Sequence, residues 1–137
     1  MKYLGIDLGL KTLGLAISES GIIAQSLTTI RFNNSDFLDA LNQLLDIIDK
    51  YKIDIVVLGL PKHMNNDLGD IANHVLDFKD KLLLKRQIKV ITWDERLSTR
   101  SALKSLSDQK KKYKKQKALK DEMAAQIILQ NYLDSLN

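Results

Sequence analysis

The chain has 137 residues, 45% of them hydrophobic and 28% charged, with a formal net charge of +4 and no cysteine. That length supports one domain with a real hydrophobic core, taken here as residues 1–137, and the missing thiols exclude disulfides, thiolate zinc sites and cysteine catalysis. No run is long and apolar enough to span a membrane, and Asp7 interrupts the opening segment where a signal peptide needs unbroken apolar residues. A cytoplasmic protein is expected.

In chain order, KYLGIDLG (2–9) reads as a buried strand carrying Asp7, and LGLAISES (13–20) as a second strand after a short turn. GIIAQSLTTIRF (21–32) is a third run, rich in β-branched residues and without helical period. These three are expected to form an antiparallel meander. A helix follows, in which Phe37, Leu38, Leu41, Leu44, Leu45 and Ile48 recur at threes and fours behind Asn34 or Ser35 as cap. IDIVVLGL (53–60) is a continuous apolar run, as in a strand buried on both faces, with Gly59-Leu60-Pro61 read as a turn into the polar loop KHMNNDLGD. The next helix turns Ile71, Val75, Phe78 and Leu82 inward. IKVITW (88–93) is a further buried strand ending at Asp94-Glu95, and a helix begins near Ser98 or Thr99. The basic tract QKKKYKKQKALK (109–120) then precedes a final helix over about 119–133.

Alternation of strand and helix in the second half implies parallel strands joined by right-handed crossovers. The expected fold class is α/β and RNase H-like: a five-stranded mixed sheet, three strands in an antiparallel meander and two parallel, with helices on both faces. In open α/β sheets, sites form beyond the carboxyl ends of the parallel strands, where IDIVVLGL and IKVITWDE both end.

Three acids carry the chemistry. Asp7 lies in a strand that should be central, where a carboxylate is costly to bury unless paired or bound to metal. Gly5, Gly9 and Gly14 clear side chains from around it. A turn cap or a salt bridge to Lys11 is the plainer role, and G-I-D-L-G also opens the phosphate-binding hairpin of actin-like ATPases. Glu95 stands between a strand end and a helix start, with Asp94 suited to capping that helix. Asp121 shares a helix face with Ala125 and Ile128, and the small Ala124 and Ala125 would let that helix approach the sheet and bring Asp121 towards Asp7. Its plainer role is an acid favoured in a first helical turn. Three carboxylates without thiols suit hard divalent ions, Mg²⁺ or Mn²⁺, and a pair of such ions suits phosphodiester hydrolysis. Asp7, Glu95 and Asp121 are thus the expected catalytic and metal-binding residues, with Asp7 bridging two ions.

The charge distribution points to a polyanion. Residues 1–100 carry thirteen basic and thirteen acidic side chains, whereas residues 101–137 carry eight and four, so the whole excess lies in the second part. Lys110, Lys111, Lys112, Lys114, Lys115 and Lys117 abut Asp121 and suit a phosphate backbone. A solvated lysine loop is the plainer reading. Arg96, Ser98, Thr99 and Arg100 offer donors to phosphate oxygens, and Lys11 and Lys62 are further candidate nucleic-acid contacts. His63 is a candidate contact or proton carrier. Trp93 and the tyrosines lack the spacing of a stacking platform and read as packing.

Taken together, GIDLGLKTLGLAIS, VVLGLPKHMNNDLG, DERLSTRSA and DEMAAQIILQNYLD closely resemble the YqgF family, described as pre-16S rRNA nucleases and as Holliday-junction-resolvase-like proteins. The resemblance covers nearly the whole chain. It implies a role in maturing the 5′ end of the 16S rRNA precursor, with structured RNA or a ribosomal particle as partner, and its acidic metal positions fall on Asp7, Glu95 and Asp121. This chain departs from the family in having Lys11-Thr12 for a Lys-Arg pair, Met64-Asn65-Asn66 for Met-Asp-Gly, and Ser98 for threonine. The nearest rival is resolution of branched four-way DNA, which normally needs a two-fold dimer. No dimer signal is visible, so a monomer or weak homodimer is expected. A nucleic-acid-binding protein without catalysis is a further rival, as is an actin-like ATPase, for which 137 residues supply one of the two domains needed.

Overall fold

Strand-forming and helix-forming stretches segregate as the patterning requires. The computed structural model describes residues 1–61, 69–94 and 113–136, with side chains at 1–61, 71–94 and 123–136. Among these it has β1 (Tyr3–Leu8), β2 (Thr12–Ser18), β3 (Gln25–Arg31), α1 (Phe37–Tyr51), β4 (Ile55–Leu60), α2 (Gly69–Lys85), β5 (Lys89–Asp94) and α3 (Tyr113–Ser135). The strands form one sheet in the order β3-β2-β1-β4-β5. β1, β2 and β3 pair antiparallel, and β4 pairs parallel with both β1 and β5, so the expected mixed RNase H-like sheet is present.

Side-chain alternation gives the sheet two apolar faces. Leu4, Ile6 and Leu8 of β1 join Leu13, Leu15, Val56 and Leu58 in a core closed by Leu41, Leu44 and Ile48 of α1 and by Val75, Phe78 and Leu82 of α2. The opposite face carries Ala16, Ile55 and Val57, closed by Ala125, Ile128, Leu129, Tyr132 and Leu133 of α3. Helices therefore lie on both faces. At the far end of α2, Arg86 makes two hydrogen bonds to the Asp49 carboxylate of α1, at 3.0 and 2.7 Å. These bonds hold that carboxyl below its ordinary value.

Several local expectations change. Asp36, not Asn34 or Ser35, caps α1, accepting from Asp39 N, while Ser35 adopts a left-handed φ of 63°. Leu38 is 62% exposed because the buried arc widens towards Ala40 and Leu45 and leaves position 38 outside it. β3 begins at Gln25; Ile22 and Ile23 fall in the β2–β3 loop, where Ser20 Oγ accepts from both their N–H groups. Gly59 and Leu60 belong to β4 rather than to a turn. β5 is half-buried rather than buried, since it forms an edge of the sheet. α3 begins at Tyr113, six residues before the expected start, so Lys114, Lys115 and Lys117 stand in a helix. Lysine, glutamine and alanine are good helix formers, which is enough to extend it without an apolar stripe. The helix expected near Ser98 lies outside the described residues.

Candidate active site

Register places Asp7 in a cleared row. It pairs with Gly14 of β2, and Gly14 pairs with Thr29 of β3. On the other side the last β1–β4 pair is Ile6 with Leu58, so Gly59 is the next β4 position beside Asp7, and Gly59 pairs with Trp93 of β5. The row Thr29, Gly14, Asp7, Gly59, Trp93 lies on the α3 face. The half-buried Asp7 thus has a glycine at each lateral neighbour, and neither adjoining strand brings a side chain beside it at that level. At the ends of the row, Thr29 Oγ1 and Trp93 Nε1 are buried and have no hydrogen-bond partner among the described residues.

α3 fixes the third dimension. A Cβ placed on Gly5 would lie 2.7 Å from Leu129 Cβ and 2.9 Å from the Ala125 carbonyl oxygen. The helix therefore crosses β1 there at backbone contact, which only glycine permits. The Tyr3 and Tyr132 rings meet 6.2 Å apart, so α3 runs antiparallel to β1: Tyr132 sits at the level of Tyr3, and Ala125 and Leu129 at that of Gly5. Helix position 121 comes one turn before Ala125, about 6 Å along the axis. That step points to the end of β1 at which Asp7 sits, about 7 Å beyond Gly5. The expected close approach of the helix at Ala125 is present, and the sheet contributes to it through Gly5 as well as the helix through its alanines. Gly5 serves the helix rather than a ligand.

Lys11 is exposed in the β1–β2 turn, which is closed by Gly9 N donating to the Thr12 carbonyl at 2.8 Å. Asp94 ends β5, so the chain enters Glu95 from the carboxyl edge. Glu95, Lys62, His63, Arg96, Ser98, Thr99, Arg100, Lys110, Lys111 and Lys112 lie outside the described residues. Asp121, Lys114, Lys115 and Lys117 are described as helix positions only. Among the described residues no three metal-ligating side chains cluster, and two of the three expected acids are not among those side chains. The donor chemistry at Asp7, an oxygen ligand flanked by glycines in a chain without thiols, fits a hard divalent ion. Trp93 packs as expected, edge-on to Tyr132 with ring centroids 5.7 Å apart. Its place in the Asp7 row was not readable from spacing, because register between distant strands sets it.

Residues 1–135 match the family RuvX, described as Holliday junction resolvase. A protein of Onion yellows phytoplasma (strain OY-M) named "Putative pre-16S rRNA nuclease" is 54% identical over 132 residues, covering 96% of this chain and 87% of the relative. One of the same name from Staphylococcus aureus (strain bovine RF122 / ET3-1) is 46% identical over 138 residues, covering 99% and 97%. Among solved structures, Thermus thermophilus RuvC in complex with a Holliday junction substrate superposes with a TM-score of 0.64 at 14% identity, covering 99% of this chain and 95% of that one. The Fowlpox virus resolvase bound to Holliday junction DNA gives 0.59 at 17% identity, covering 99% of each. The YqgF resemblance is borne out: the chain belongs to the RuvX family of Holliday-junction-resolvase-like nucleases.

Proposed function

We propose that this protein is a divalent-metal-dependent endonuclease that processes the 5′ end of pre-16S rRNA in the cytoplasm, with Asp7, Glu95 and Asp121 as its acids. One observation supports this more than any other: α3 crosses β1 antiparallel at Gly5, so the step from Ala125 back to position 121 and the step from Gly5 on to Asp7 run to the same end of the sheet. Glu95 directly follows Asp94 at the same carboxyl edge. Names of relatives at 46–54% identity support an rRNA substrate.

Two bound Mg²⁺ or Mn²⁺ ions would supply an activated water and charge stabilisation for in-line displacement. The chain's own part is to hold the acids. Asp7, held in a central strand between Gly14 and Gly59, would serve both ions in this reading. Glu95 and Asp121 would each help to hold one of them. Lys114, Lys115 and Lys117, one to two turns before Asp121 on α3, and Lys110, Lys111 and Lys112 before them, hold the phosphate backbone largely without reading sequence. Lys11 and Lys62 add contacts from neighbouring loops, as do Arg96, Ser98, Thr99 and Arg100 after Glu95.

The test is a side-by-side cleavage assay with Mg²⁺ or Mn²⁺ on a 16S precursor fragment and a four-way DNA junction. Asp7→Asn, nearly isosteric, is expected to abolish cutting with an unchanged thermal melt; cutting at the wild-type rate would remove Asp7 from the mechanism. Resolution of four-way DNA is the second reading, favoured by the family description. Paired, symmetric junction cuts by a dimeric species would establish it.

A further inference from the structure

We propose that Arg31 binds the substrate backbone, its guanidinium taking the phosphate that neighbours the one cut at Asp7. This rests on the reading of Asp7 as the cutting centre. Ile30 and Phe32 point into the core shared with α1 and α2, so Arg31 between them lies on the α3 face, the face of Asp7. Arg31 is opposite Thr12, whereas Thr29 is opposite Gly14 and Gly14 opposite Asp7. It therefore stands one row beyond the Asp7 row, towards the carboxyl end of β1. Two strand spacings and one two-residue step put the Cα atoms of Asp7 and Arg31 about 12 Å apart. An arginine side chain covers a good part of that span. The positions between them are Gly9, Thr12 and Gly14, and none carries a long side chain.

The side chain is open and uncommitted. Arg31 is exposed, and among the described residues its guanidinium has no hydrogen bond or ion pair, whereas Arg86 is taken up by Asp49. Asp36 and Asp39, the acids at the start of α1, accept instead from Asp39 N and Gln43 Nε2. The backbone, by contrast, is pinned. Gln43 Nε2 donates to the Arg31 carbonyl at 3.3 Å, Phe32 N to the Lys11 carbonyl at 3.0 Å, and Ser35 N to the Leu10 carbonyl at 2.8 Å. These bonds fasten the end of β3 to the β1–β2 turn, so Arg31 and the exposed Lys11 are carried on one fixed edge. A guanidinium on such an edge can take two oxygens of one phosphate, which makes an anionic backbone its fitting ligand. The bond from Phe32 to Lys11 also makes Thr12 and Arg31 a non-hydrogen-bonded pair, the closer of the two kinds, with Cβ atoms about 5 Å apart. A guanidinium borne at either position would thus reach the same phosphate, and position 12 is where this chain has threonine in place of arginine.

Binding is measured in Ca²⁺, without cutting, on the 16S precursor fragment and the four-way junction at several salt concentrations. Arg31→Gln is expected to melt as wild type does and to weaken binding about tenfold. The slope of log affinity against log salt should become shallower by about 0.7–0.9, as for one phosphate no longer neutralised. In Mg²⁺, KM should rise by a similar factor with kcat changed little. Adding Thr12→Arg to Arg31→Gln is expected to restore both affinity and slope. Unchanged affinity and slope in Arg31→Gln overturn the proposal, as does wild-type protein that binds neither nucleic acid. A folded double variant that recovers nothing overturns the equivalence of the two positions; should it fail to fold, Arg31→Gln alone decides. Cutting by Asp7→Asn at the wild-type rate would instead defeat the metal-site reading, and the salt slope of Arg31→Gln would still decide whether Arg31 holds a phosphate.

Discussion

Asp7 has its charged group in a strand whose two neighbours offer glycine at the same level. Its backbone is held by pairing with Gly14 and follows directly on the Ile6–Leu58 pair, so an asparagine is expected to replace it without disturbing the fold. Tyr132, at the other end of the same face, behaves differently with pH. Burial, and secondarily the charge of ionised Tyr3, pushes its phenol above the usual value. Folding therefore favours the neutral phenol. The stability this contributes is fully present below about pH 10, the ordinary tyrosine value, and is lost as pH rises through the higher folded value. Urea midpoints measured from pH 9 upward are expected to fall above about pH 10, and Tyr132→Phe to flatten that fall. Asp7 was legible in the sequence because an acid inside an apolar run is conspicuous. The pairing that sets Trp93 beside it was not, because it depends on the register of β1, β4 and β5, which are separated by whole helices.

At the level of elements, the contact between α3 and β1 is the joint on which the proposed site depends. Gly5→Ala would put a methyl carbon within 3 Å of both Leu129 Cβ and the Ala125 carbonyl. Neither can yield cheaply, since one is helix backbone and the other is attached directly to it. The expected cost is about 1–3 kcal/mol, read as a lower urea midpoint with unchanged slope. Activity should fall by more than the unfolded fraction explains, because the same shift lifts position 121 from the sheet. The strands and the inner faces of α1 and α2 were legible because their periods are clean. The start of α3 was not: residues 113–118 have no apolar stripe, and their helical state follows from propensity and from continuity with the packed turns after Ala124. The glutamines of α3 were equally silent. Gln130 accepts from Ala24 N–H and donates to the Ile22 carbonyl, and Gln126 donates to the Ala24 carbonyl, which together tie the β2–β3 loop to the helix.

Across the whole molecule, charge and length combine. α3 has 23 residues and spans about 35 Å, whereas strands of six or seven residues run only about 20–23 Å. Among its described side chains the buried ones run from Ala124 to Leu133, and the turns bearing Lys114, Lys115 and Lys117 precede them in the helix, on the side of the Asp7 end. Replacing Lys114, Lys115 and Lys117 with glutamine is expected to weaken nucleic-acid binding similarly for all sequences. The slope of log affinity against log salt should become shallower by about 0.7–0.9 for each phosphate that is no longer neutralised. Titration at several salt concentrations measures both.

The bonds from α3 to the β2–β3 loop join residues 102 to 108 positions apart. During synthesis, the strands and the α1–α2 face are therefore made long before the helix that covers Ala16, Ile55 and Val57. Until then that apolar face is open, and Asp121 is still untranslated. If Asp7, Glu95 and Asp121 act together as proposed, the nascent chain carries half a core but no complete set of acids, and cutting is expected only once α3 has been made and packed.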